Sequence, residues 1–397
     1  MGTNSQKKIL DDIFIVDGAR TAIGSTFKAL KNFSPAELAA LTMRGLLKRN
    51  NVKGEAVSEV ILGNTVSTGT GQNLARHASF LSGLPASTPA FTVNLVCGSG
   101  LQSLILGLQA IAAGDADVVL AGGSESSSQS PYFVKKDSKE KKEENFKDSL
   151  VYDGLTCQIT GKHMGELAEY VAGKFKVSRK DQDKYTFESH KKACAAQEKG
   201  NFSGEIIPVD VAPGQIFKED QRPRKNIDLE KLANLPPAFE ENGTVTAGNS
   251  SIPSDGAAAL LLASGDAVKK YKLTPRARIL GYASIAIEPE MVFTASIPAV
   301  GACLSRTGLA PKDVDLFEIS EAFAVQAIIT QKELRIPLEK MNIFGGDVAL
   351  GHPLGAAGAR ILVTLLHAMK GQKKQRGLAT VCLGGGGAVA VLIEAIS

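Results

Sequence analysis

Three residues of this chain carry side chains suited to nucleophilic catalysis and stand at the ends of regular segments. Cys97 precedes Gly98, His352 precedes Pro353, and Cys382 ends an apolar run. A thiolate is a nucleophile, and an imidazole beside it can take up its proton. A second thiol near the same imidazole could move protons while the first forms a covalent intermediate. A simpler interpretation stays open here, in which both cysteines are buried core residues and His352 is an ordinary turn residue.

The segment around Cys97 predicts a strand, a tight turn and a helix. Residues 91–96 are short, apolar and rich in β-branched side chains, which predicts a buried strand. After Gly100, apolar residues recur at helical spacing up to Ala113, and they are Leu101, Leu104, Ile105, Leu108 and Ile111. Cys97 would then face unpaired N–H groups and the positive end of the helix dipole, and both favour the thiolate.

The sequence contains an internal repeat that relates Cys97 to His352. Leu62 lies 35 positions before Cys97, and Phe317 lies 35 positions before His352. The matching segments are 60–62 with 315–319, 97–100 with 351–355, and 117–123 with 379–387. Such a repeat indicates two copies of one fold whose turns face each other across a pseudo-twofold axis. Strands that alternate with helices place the chain in the α/β class, in which ligands bind at the ends of strands.

Further elements are predicted from periodicity and capping signals. Strands are expected at 13–18 and 257–262, a capped helix from Ser34 to about Asn50, an amphipathic helix after Gly355, and a polar capped helix over 178–200. The middle of the chain is rich in loops. Its two charged segments, 135–147 and 218–225, are expected to be solvated, with an oligomer contact as the alternative for the first.

Composition and charge argue against several broad classes. The 397 residues carry a net charge of +4 with basic and acidic residues interleaved, which argues against a nucleic-acid partner. No apolar run reaches the roughly 18 residues of a membrane span, and the polar segment 1–12 lacks the apolar stretch of a secretory signal. The five cysteines are scattered without metal-ligand spacing, so neither a metal site nor a disulfide framework is expected. These observations predict a cytoplasmic protein with no membrane partner.

Five motifs, in this order along the chain, resemble those of the thiolases. They are Asn94–Gly100 (NLVCGSG), Gly243–Asn249 (GTVTAGN), Glu321–Ala324 (EAFA), Gly351–Gly355 (GHPLG) and Cys382–Gly386 (CLGGG). The resemblance implies a duplicated, five-layered αβαβα fold in which two sheets enclose buried helices. It divides the chain into an N-terminal half (1–125), an inserted loop domain that binds coenzyme A (126–252), a return to the N-terminal half (253–275) and a C-terminal half (276–397).

The resemblance also implies transfer of an acyl group between a thioester and coenzyme A. Cys97 would become acylated, His352 would take its proton and then polarise the thioester oxygen, and Cys382 would remove or return the proton on the α-carbon. The backbone N–H groups of Cys97 and Gly384 would form an oxyanion hole, in which losing one donor costs roughly 3 kcal/mol. Coenzyme A is expected as substrate and product, without any further cofactor.

Coenzyme A is expected to contact both the inserted domain and the C-terminal half. The residues that the resemblance implies for its pantetheine arm are Phe239, Ala247, Ser251, Ala322 and Phe323. Arg224 would lie near the adenosine phosphates, because a planar guanidinium group suits a phosphate. A surface arginine without a ligand is the alternative for Arg224.

Three positions bear on the acyl group that the site accepts. The pair His163 and Met164 resembles the pair that narrows the acyl pocket in acetoacetyl-CoA thiolases, which favours a short chain. Ser320 stands where the family has an asparagine that holds a water beside the histidine, and serine is expected to hold it with a shorter reach. Phe293 stands where the family usually has a glycine, so it would reduce the room in the pocket.

The resemblance therefore predicts an enzyme that interconverts two acetyl-CoA with acetoacetyl-CoA and coenzyme A. One alternative is a degradative 3-ketoacyl-CoA thiolase that acts on longer chains. Another is a catalytically idle protein that binds acyl-CoA on the same scaffold. A decarboxylating condensing enzyme would use a second histidine or an asparagine where this chain has Cys382. A homo-oligomer, either a dimer or a tetramer formed through the inserted region, is also expected.

Overall fold

The structure, a computed structural model, describes residues 10, 12–136 and 145–396, so most of the charged segment 135–147 lies outside the described residues. The strands are β1 (Ile13–Thr21), β2 (Gly24–Ser25), β3 (Glu59–Gly63), β4 (Ala90–Val93), β5 (Val118–Ser126), β6 (Tyr132–Phe133), β7 (Lys147–Asp148), β8 (Ile206–Ile207), β9 (Val209–Ala212), β10 (Gln215–Phe217), β11 (Ser254–Ser264), β12 (Ala277–Ala286), β13 (Leu316–Ile319), β14 (Arg376–Leu383) and β15 (Gly387–Ala395). The α-helices are α1 (Pro35–Arg49), α2 (Leu74–Leu81), α3 (Ser99–Ala113), α4 (Met164–Lys174), α5 (Arg179–Glu198), α6 (Leu229–Ala233), α7 (Gly265–Tyr271), α8 (Ser296–Thr307), α9 (Ala324–Glu333), α10 (Asp347–Leu350) and α11 (Leu354–Gln372). Shorter helical turns lie at Gly54–Ala56, Ser127–Gln129, Leu150–Leu155, Pro289–Thr294, Pro311–Asp313 and Leu338–Lys340.

The main strands form two similar ladders that meet at β1 and β12. Their order is β4-β3-β5-β11-β1 followed by β12-β15-β14-β13. The strands β3 and β5 run parallel, as do β13 and β14, whereas β5 and β11 are antiparallel, as are β14 and β15. At the junction, β1 and β12 share the pairs Phe14–Arg278 and Ile15–Ala277. The mirrored order on the two sides is the duplication that the equal sequence spacings predict.

Helices α3 and α11 pack against each other in the middle of the molecule, between the two ladders. Helices α1 and α2 cover the outer face of the first ladder, and α8 covers the second. Glycines permit the close contact in the middle. A Cβ on Gly100 would lie 2.9 Å from the backbone N of Ala359, and one on Gly358 would lie 2.8 Å from Leu101. Since the Cys97 turn precedes α3 and the His352 turn precedes α11, this packing brings the two turns together.

Helix α11 differs from the predicted amphipathic helix. Every residue from Leu354 to Leu366 is buried, including Arg360 and Thr364. Small residues in its first two turns allow neighbouring backbone to approach from several sides. A helix that is buried on all sides belongs to the interior of a fold. The fold is therefore packed around α11 and does not leave this helix at the surface.

One described segment has the length and composition of a membrane span. Residues Val96–Ala113, which include α3, have a mean hydropathy of 1.5. The same property is common in the central helices of folded domains, and here Leu101, Leu104 and Leu108 are buried against the sheet and α11. The hydropathy of α3 is explained by this packing.

Strand β4 is shorter and more exposed than the buried strand predicted at 91–96. It ends at Val93, and the side chain of Phe91 is 39% exposed. The strand lies at the end of the first ladder, next to β3, and this position leaves one edge uncovered in the protomer. Residues 94–96 form the turn that leads into Cys97.

The segment between β5 and β11 folds over the ends of the strands. It contains the β9–β10 and β6–β7 hairpins and the helices α4, α5 and α6. Strand β8 joins it to the first ladder by pairing with β1. Arg20, on β1, is fully buried and forms ion pairs with Glu205 and Asp220 of this segment. Part of the charged loop 218–225 is therefore buried, because Asp220 is used inside the protein.

Candidate active site

The turn that carries Cys97 has a backbone conformation that its residues rarely adopt. Val96 has a φ of +48°, which is unusual for a β-branched residue. The N–H of Val96 donates to Oδ1 of Asn94 at 3.0 Å, and the hydroxyl of Ser99 donates to the carbonyl of Val96 at 2.6 Å. Strain of this kind persists where surrounding contacts fix it, and it is common at functional sites. Cys97 is half-buried just before α3, near the positive end of the helix dipole.

His352 lies in the turn between α10 and α11 and is 3% exposed. Its Nδ1 lies 3.3 Å from Oδ2 of Asp347, an ion-pair distance at an angle that does not meet strict hydrogen-bond geometry. Burial alone would lower the pKa of His352, but the charges on Cys97 and Asp347 raise it to about 10. The imidazole is therefore protonated near neutral pH, where it can stabilise negative charge on a sulfur or a carbonyl oxygen.

Cys382 brings a second thiol to the same site from β14. Its side chain is buried, and burial followed by the charge of nearby Cys97 raises the pKa of this thiol well above its ordinary value. The thiol is therefore protonated at neutral pH and can give up its proton only to a strong base. The site thus combines a half-buried thiol, a cationic imidazole and a second, neutral thiol.

All three side chains line one pocket with a volume of about 250 Å³. Ligand pockets for drug-sized molecules usually measure roughly 300–1,000 Å³, so this pocket suits a small group. Eight further residues of the predicted site also line it, and they are His163, Met164, Phe239, Ala247, Ser251, Ala322, Phe323 and Gly384. The two halves of the fold and the segment between β5 and β11 all contribute to its walls.

Aromatic rings narrow the pocket. Phe239 stacks on the imidazole of His163 with ring centroids 5.0 Å apart, and Phe323 packs edge-on against both Phe239 and Phe293. Phe293 is 2% exposed, so its ring fills space inside the protein. His163 also caps α4, where its Nδ1 accepts a hydrogen bond from the backbone N–H of Gly165 at 3.0 Å. Burial lowers the pKa of His163, although the charge of Glu166 opposes this effect. The lowered pKa keeps the ring of His163 neutral.

Ser320 lies outside the pocket wall, next to a buried carboxylate. The residue is fully buried, and its hydroxyl donates to Oδ2 of Asp347 at 2.6 Å. The side chain is short, so it reaches the neighbouring carboxylate and does not extend to the pocket. The structure therefore adds a contact of Ser320 with Asp347, and the water beside the histidine stays a prediction.

Arg224 also lies outside the pocket wall, in the exposed part of the loop at 218–225. Its backbone N–H donates to Nδ1 of His190 at 3.1 Å. Burial, with the charges of Arg222 and Arg224, lowers the pKa of His190 to about 3. The contact of Arg224 with the phosphates of coenzyme A stays a prediction.

Sequence reasoning missed one charged group of the site, Asp347. This residue is fully buried on α10, directly behind His352. A carboxylate five positions before a histidine, after the pair Gly345 and Gly346, is a visible signal in the sequence. Nothing in that spacing shows that the two side chains meet, because the contact depends on the turn between α10 and α11.

The arrangement defines an acyl-transfer type of site on a duplicated α/β fold, and family comparison agrees with it. Residues 13–266 match the N-terminal domain of thiolase, and residues 273–395 match its C-terminal domain. The chain therefore belongs to the thiolase family, and it is an enzyme of that family.

Individual relatives are similar over nearly the whole chain. The acetyl-CoA acetyltransferase of Chromobacterium violaceum is 45% identical, over 96% of this chain and 99% of the relative, and that of Escherichia coli is 44% identical with the same coverage. The crystal structure of the Bacillus anthracis acetyl-CoA acetyltransferase has a TM-score of 0.94 at 37% identity, covering 97% of this chain and 99% of that one. Human mitochondrial 3-ketoacyl-CoA thiolase in complex with CoA has a TM-score of 0.93 at 40% identity, with coverages of 97% and 98%.

Proposed function

We propose that this protein is an acetyl-CoA C-acetyltransferase, which interconverts two acetyl-CoA with acetoacetyl-CoA and coenzyme A. The single observation that carries the proposal is the convergence of Cys97, His352 and Cys382 on one narrow pocket. The similar proteins of Chromobacterium violaceum and Escherichia coli bear the name of this activity, which supports the substrate.

The first half of the proposed reaction acylates Cys97. Its proton rests on His352, and the sulfur attacks the carbonyl carbon of acetyl-CoA while the imidazolium stabilises the oxygen. The bond from that carbon to the sulfur of coenzyme A then breaks. The leaving thiolate takes the proton of Cys382, so free coenzyme A departs and an acetyl thioester stays on Cys97.

The second half joins two acetyl groups. The Cys382 thiolate, a strong base because burial raises the pKa of its thiol, removes a proton from the methyl carbon of a second acetyl-CoA. That carbon attacks the acetyl group on Cys97, a carbon–carbon bond forms, and the Cys97 sulfur leaves. The products are acetoacetyl-CoA and the starting enzyme. In the cleavage direction, the same groups act in reverse order.

The experiment that tests this proposal is mass spectrometry of the protein after mixing with acetyl-CoA. The wild-type protein is expected to gain one acetyl group on Cys97, and Cys97→Ala is expected to gain none while keeping its fold, since only a small half-buried thiol is removed. Cys194→Ala is the matched control, because Cys194 lies on α5 outside the pocket. An unmodified wild-type protein would support the idle acyl-CoA-binding alternative.

The alternative of a longer substrate has support in the human 3-ketoacyl-CoA thiolase structure, which is similar to this chain. The small pocket and the buried ring of Phe293 favour the short chain. Thiolysis of a four-carbon 3-ketoacyl-CoA is therefore expected to be faster than thiolysis of an eight-carbon one. Phe293→Ala is expected to raise the eight-carbon rate relative to the four-carbon rate. A wild-type preference for eight carbons would contradict the proposal.

The positive charge near Arg224 supports binding of the coenzyme A phosphates. Arg222 is largely buried, and burial together with the charge of Arg224 lowers the pKa of its guanidinium to about 10. Two guanidinium groups beside the neutral ring of His190 create a positive field that attracts anions. We therefore assign the phosphate end of coenzyme A to this part of the inserted segment.

We also propose a homo-oligomer in a reducing, cytoplasmic setting. The uncovered edge of β4 carries Phe91, and the adjacent helix α2 carries Phe80 and Leu81, which are 39%, 53% and 41% exposed. An exposed strand edge with apolar neighbours suits pairing with a second copy. All five cysteines are free, which is usual in reducing compartments.

A further inference from the structure

The carboxylate of Asp347 is held by three groups from two parts of the fold, the segment that follows β13 and helix α11. Its Oδ2 accepts hydrogen bonds from the hydroxyl of Ser320 at 2.6 Å and from the backbone N–H of Glu321 at 3.0 Å. Its Oδ1 forms an ion pair with the guanidinium of Arg360. Donors on both oxygens fix the plane of the carboxylate, and the same Oδ2 lies 3.3 Å from Nδ1 of His352. This carboxylate is therefore oriented independently of any substrate.

The charge of this carboxylate is as well defined as its position. Burial alone would raise the pKa of Asp347, but Arg360 and then His352 lower it below its ordinary range. Asp347 is thus ionised throughout the pH range in which the enzyme works. An ionised acceptor beside Nδ1 keeps a proton on that nitrogen and leaves Nε2 as the nitrogen available to the pocket.

We propose that Asp347 is a positioning residue that completes a Cys97–His352–Asp347 triad, holding the ring of His352 in the orientation that serves the Cys97 thiolate. The inference rests on the proposed acyl transfer, and it adds a residue to which the sequence motifs assign no role. Ser320 and Arg360 support the triad from behind, because each binds the carboxylate and neither lines the pocket. The logic is that of other triads, in which a buried carboxylate orients the base.

A purely structural role would leave Asp347 as the counter-charge of buried Arg360 and nothing more. The two roles differ in what they do to His352. As a counter-charge to Arg360, Asp347 would affect stability alone. As a member of the triad, it would also set the pH range in which the imidazole stays charged. The ionisable groups facing this pair are Cys97, Cys382, Glu318, Glu321 and Arg360.

The test compares Asp347→Asn with Glu318→Gln in the full-length enzyme. Glu318 is also buried beside Arg360, with its Oε2 3.9 Å from Nη1, but it does not contact His352. Both changes replace a carboxyl group beside Arg360 by an amide of the same shape. Near neutral pH only Asp347 is charged, because burial raises the pKa of Glu318 to about 8, so Glu318→Gln controls for the loss of a carboxyl group without removing the charge beside His352. The readouts are kcat and KM for thiolysis of acetoacetyl-CoA, the alkaline limb of kcat/KM, and the rate at which iodoacetamide alkylates Cys97 without substrate.

Asp347→Asn is expected to lower kcat about 100-fold, in the range of a general acid–base contribution, with KM nearly unchanged. The alkaline limb is expected to move to lower pH by about one unit or more, because the imidazolium loses a neighbouring negative charge. Alkylation of Cys97 near neutral pH is expected to slow in parallel. Glu318→Gln is expected to keep the wild-type kcat, alkaline limb and alkylation rate.

A folded Asp347→Asn enzyme with the wild-type alkaline limb and alkylation rate would overturn the proposal, as would a Glu318→Gln enzyme with the same losses. If Asp347→Asn does not fold, Asp347→Glu decides, because it keeps the charge beside Arg360. That variant is expected to have a reduced kcat and an alkaline limb of kcat/KM close to that of the wild type. An alkaline limb shifted to lower pH would contradict the proposal. Acetylation of wild-type Cys97 distinguishes failure of this proposal from failure of the proposed function. If wild-type Cys97 is not acetylated, the proposed function itself is contradicted.

Discussion

The charge on His352 is the residue-scale feature with the widest consequences. Its pKa of about 10 results from Cys97 and Asp347 acting against burial. Acylation of Cys97 removes one of these two negative neighbours, so the imidazolium becomes a stronger acid after the first step of the reaction. The same side chain can therefore stabilise a thiolate before acylation and supply a hydrogen bond or a proton afterwards.

Wild-type activity should follow this pKa on the alkaline side. The folded-state pKa of about 10 exceeds the ordinary histidine value of 6.5, so the proton stabilises the native site below that value and is lost as the pH rises. We expect kcat/KM to fall as the pH approaches about 10, and we expect thermal stability to fall between about pH 6.5 and about pH 10, the interval between the two pKa values. Activity and melting temperature measured across this interval check the prediction. Flat profiles would contradict the assigned charge.

Glu318 gives a second pH prediction, in which stability is again lost as the pH rises but over a window that begins at lower pH. Burial raises the pKa of Glu318 to about 8. The charge of Arg360 opposes this rise, and the charge of Glu321 adds to it. The unfolded chain releases this proton first, so the protein loses stability as the pH rises from about 4.5 toward about 8. Glu318→Gln has no such proton to lose. Its melting temperature is expected to gain on the wild type as the pH rises through this window, and a constant difference would contradict the account.

The sequence is a good guide to single residues when a motif fixes both chemistry and position. Cys97, His352 and Cys382 each stand at the end of a regular element, and the equal spacing of two of them indicates that they meet. Asp347 escaped this reasoning because its importance lies in its contacts with Ser320 and His352. Such a contact is made by the path of α10 between β13 and α11, and local spacing does not reveal it.

At the scale of elements, the packing of α3 against α11 determines whether the two turns meet. A methyl group on Gly100 would lie 2.9 Å from both the carbonyl O of Gly355 and the backbone N of Ala359, and backbone atoms cannot move aside easily. We expect Gly100→Ala to destabilise the protein by about 1–3 kcal/mol, as overpacked cores do. It should also lower kcat, since the two turns would be pushed apart.

Gly301→Ala is the matched control for this substitution. Gly301 lies within α8, and a Cβ there would meet no described atom within 4 Å. Alanine is favoured over glycine inside a helix, so the change is expected to stabilise by about 0.5–1 kcal/mol and leave kcat unchanged. Chemical denaturation with activity assays measures both variants. Equal effects of the two substitutions would show that the packing of α3 against α11 is not tight.

Periodicity predicts most elements well because their local signals agree with their positions in the fold. Helix α1 begins as predicted, with Ser34 and Glu37 forming a reciprocal capping box. Strand β4 and helix α11 were described incorrectly for one physical reason. Apolar content shows that a segment can be buried, but neighbouring elements decide whether it is covered on one side, as β4 is, or on all sides, as α11 is.

At the scale of the whole molecule, the uncovered edge of β4 predicts the oligomeric state. Phe91→Asp places a charge on this edge, and we expect it to convert a dimer into a monomer. Ile216→Asp is the control, since Ile216 is 60% exposed on β10, away from β4. Analytical ultracentrifugation of both variants measures the result. A Phe91→Asp protein that sediments like the wild type would place the subunit contact elsewhere.

The duplicated plan was the most predictable property of the molecule, because it repeats in the sequence itself. The equal spacings around Cys97 and His352 correspond to two ladders with the same strand order. The inserted segment has no such repeat. The resemblance to a known family predicted that His163 and Phe239 of this segment line the pocket. The stacking of their rings is visible only in the structure.

The short junction between β1 and β12 suggests how the chain could be divided into two fragments. Among the described residues, only two pairs join β1 to β12, and the attacking sulfur belongs to the half on one side of this junction while the imidazole belongs to the other half. A polypeptide cut in the linker at 272–276 would yield two fragments whose common hydrophobic core is divided between them, so neither alone is expected to turn over substrate. Mixing them should restore activity through the α3–α11 contact, which makes this fold a natural template for a split reporter.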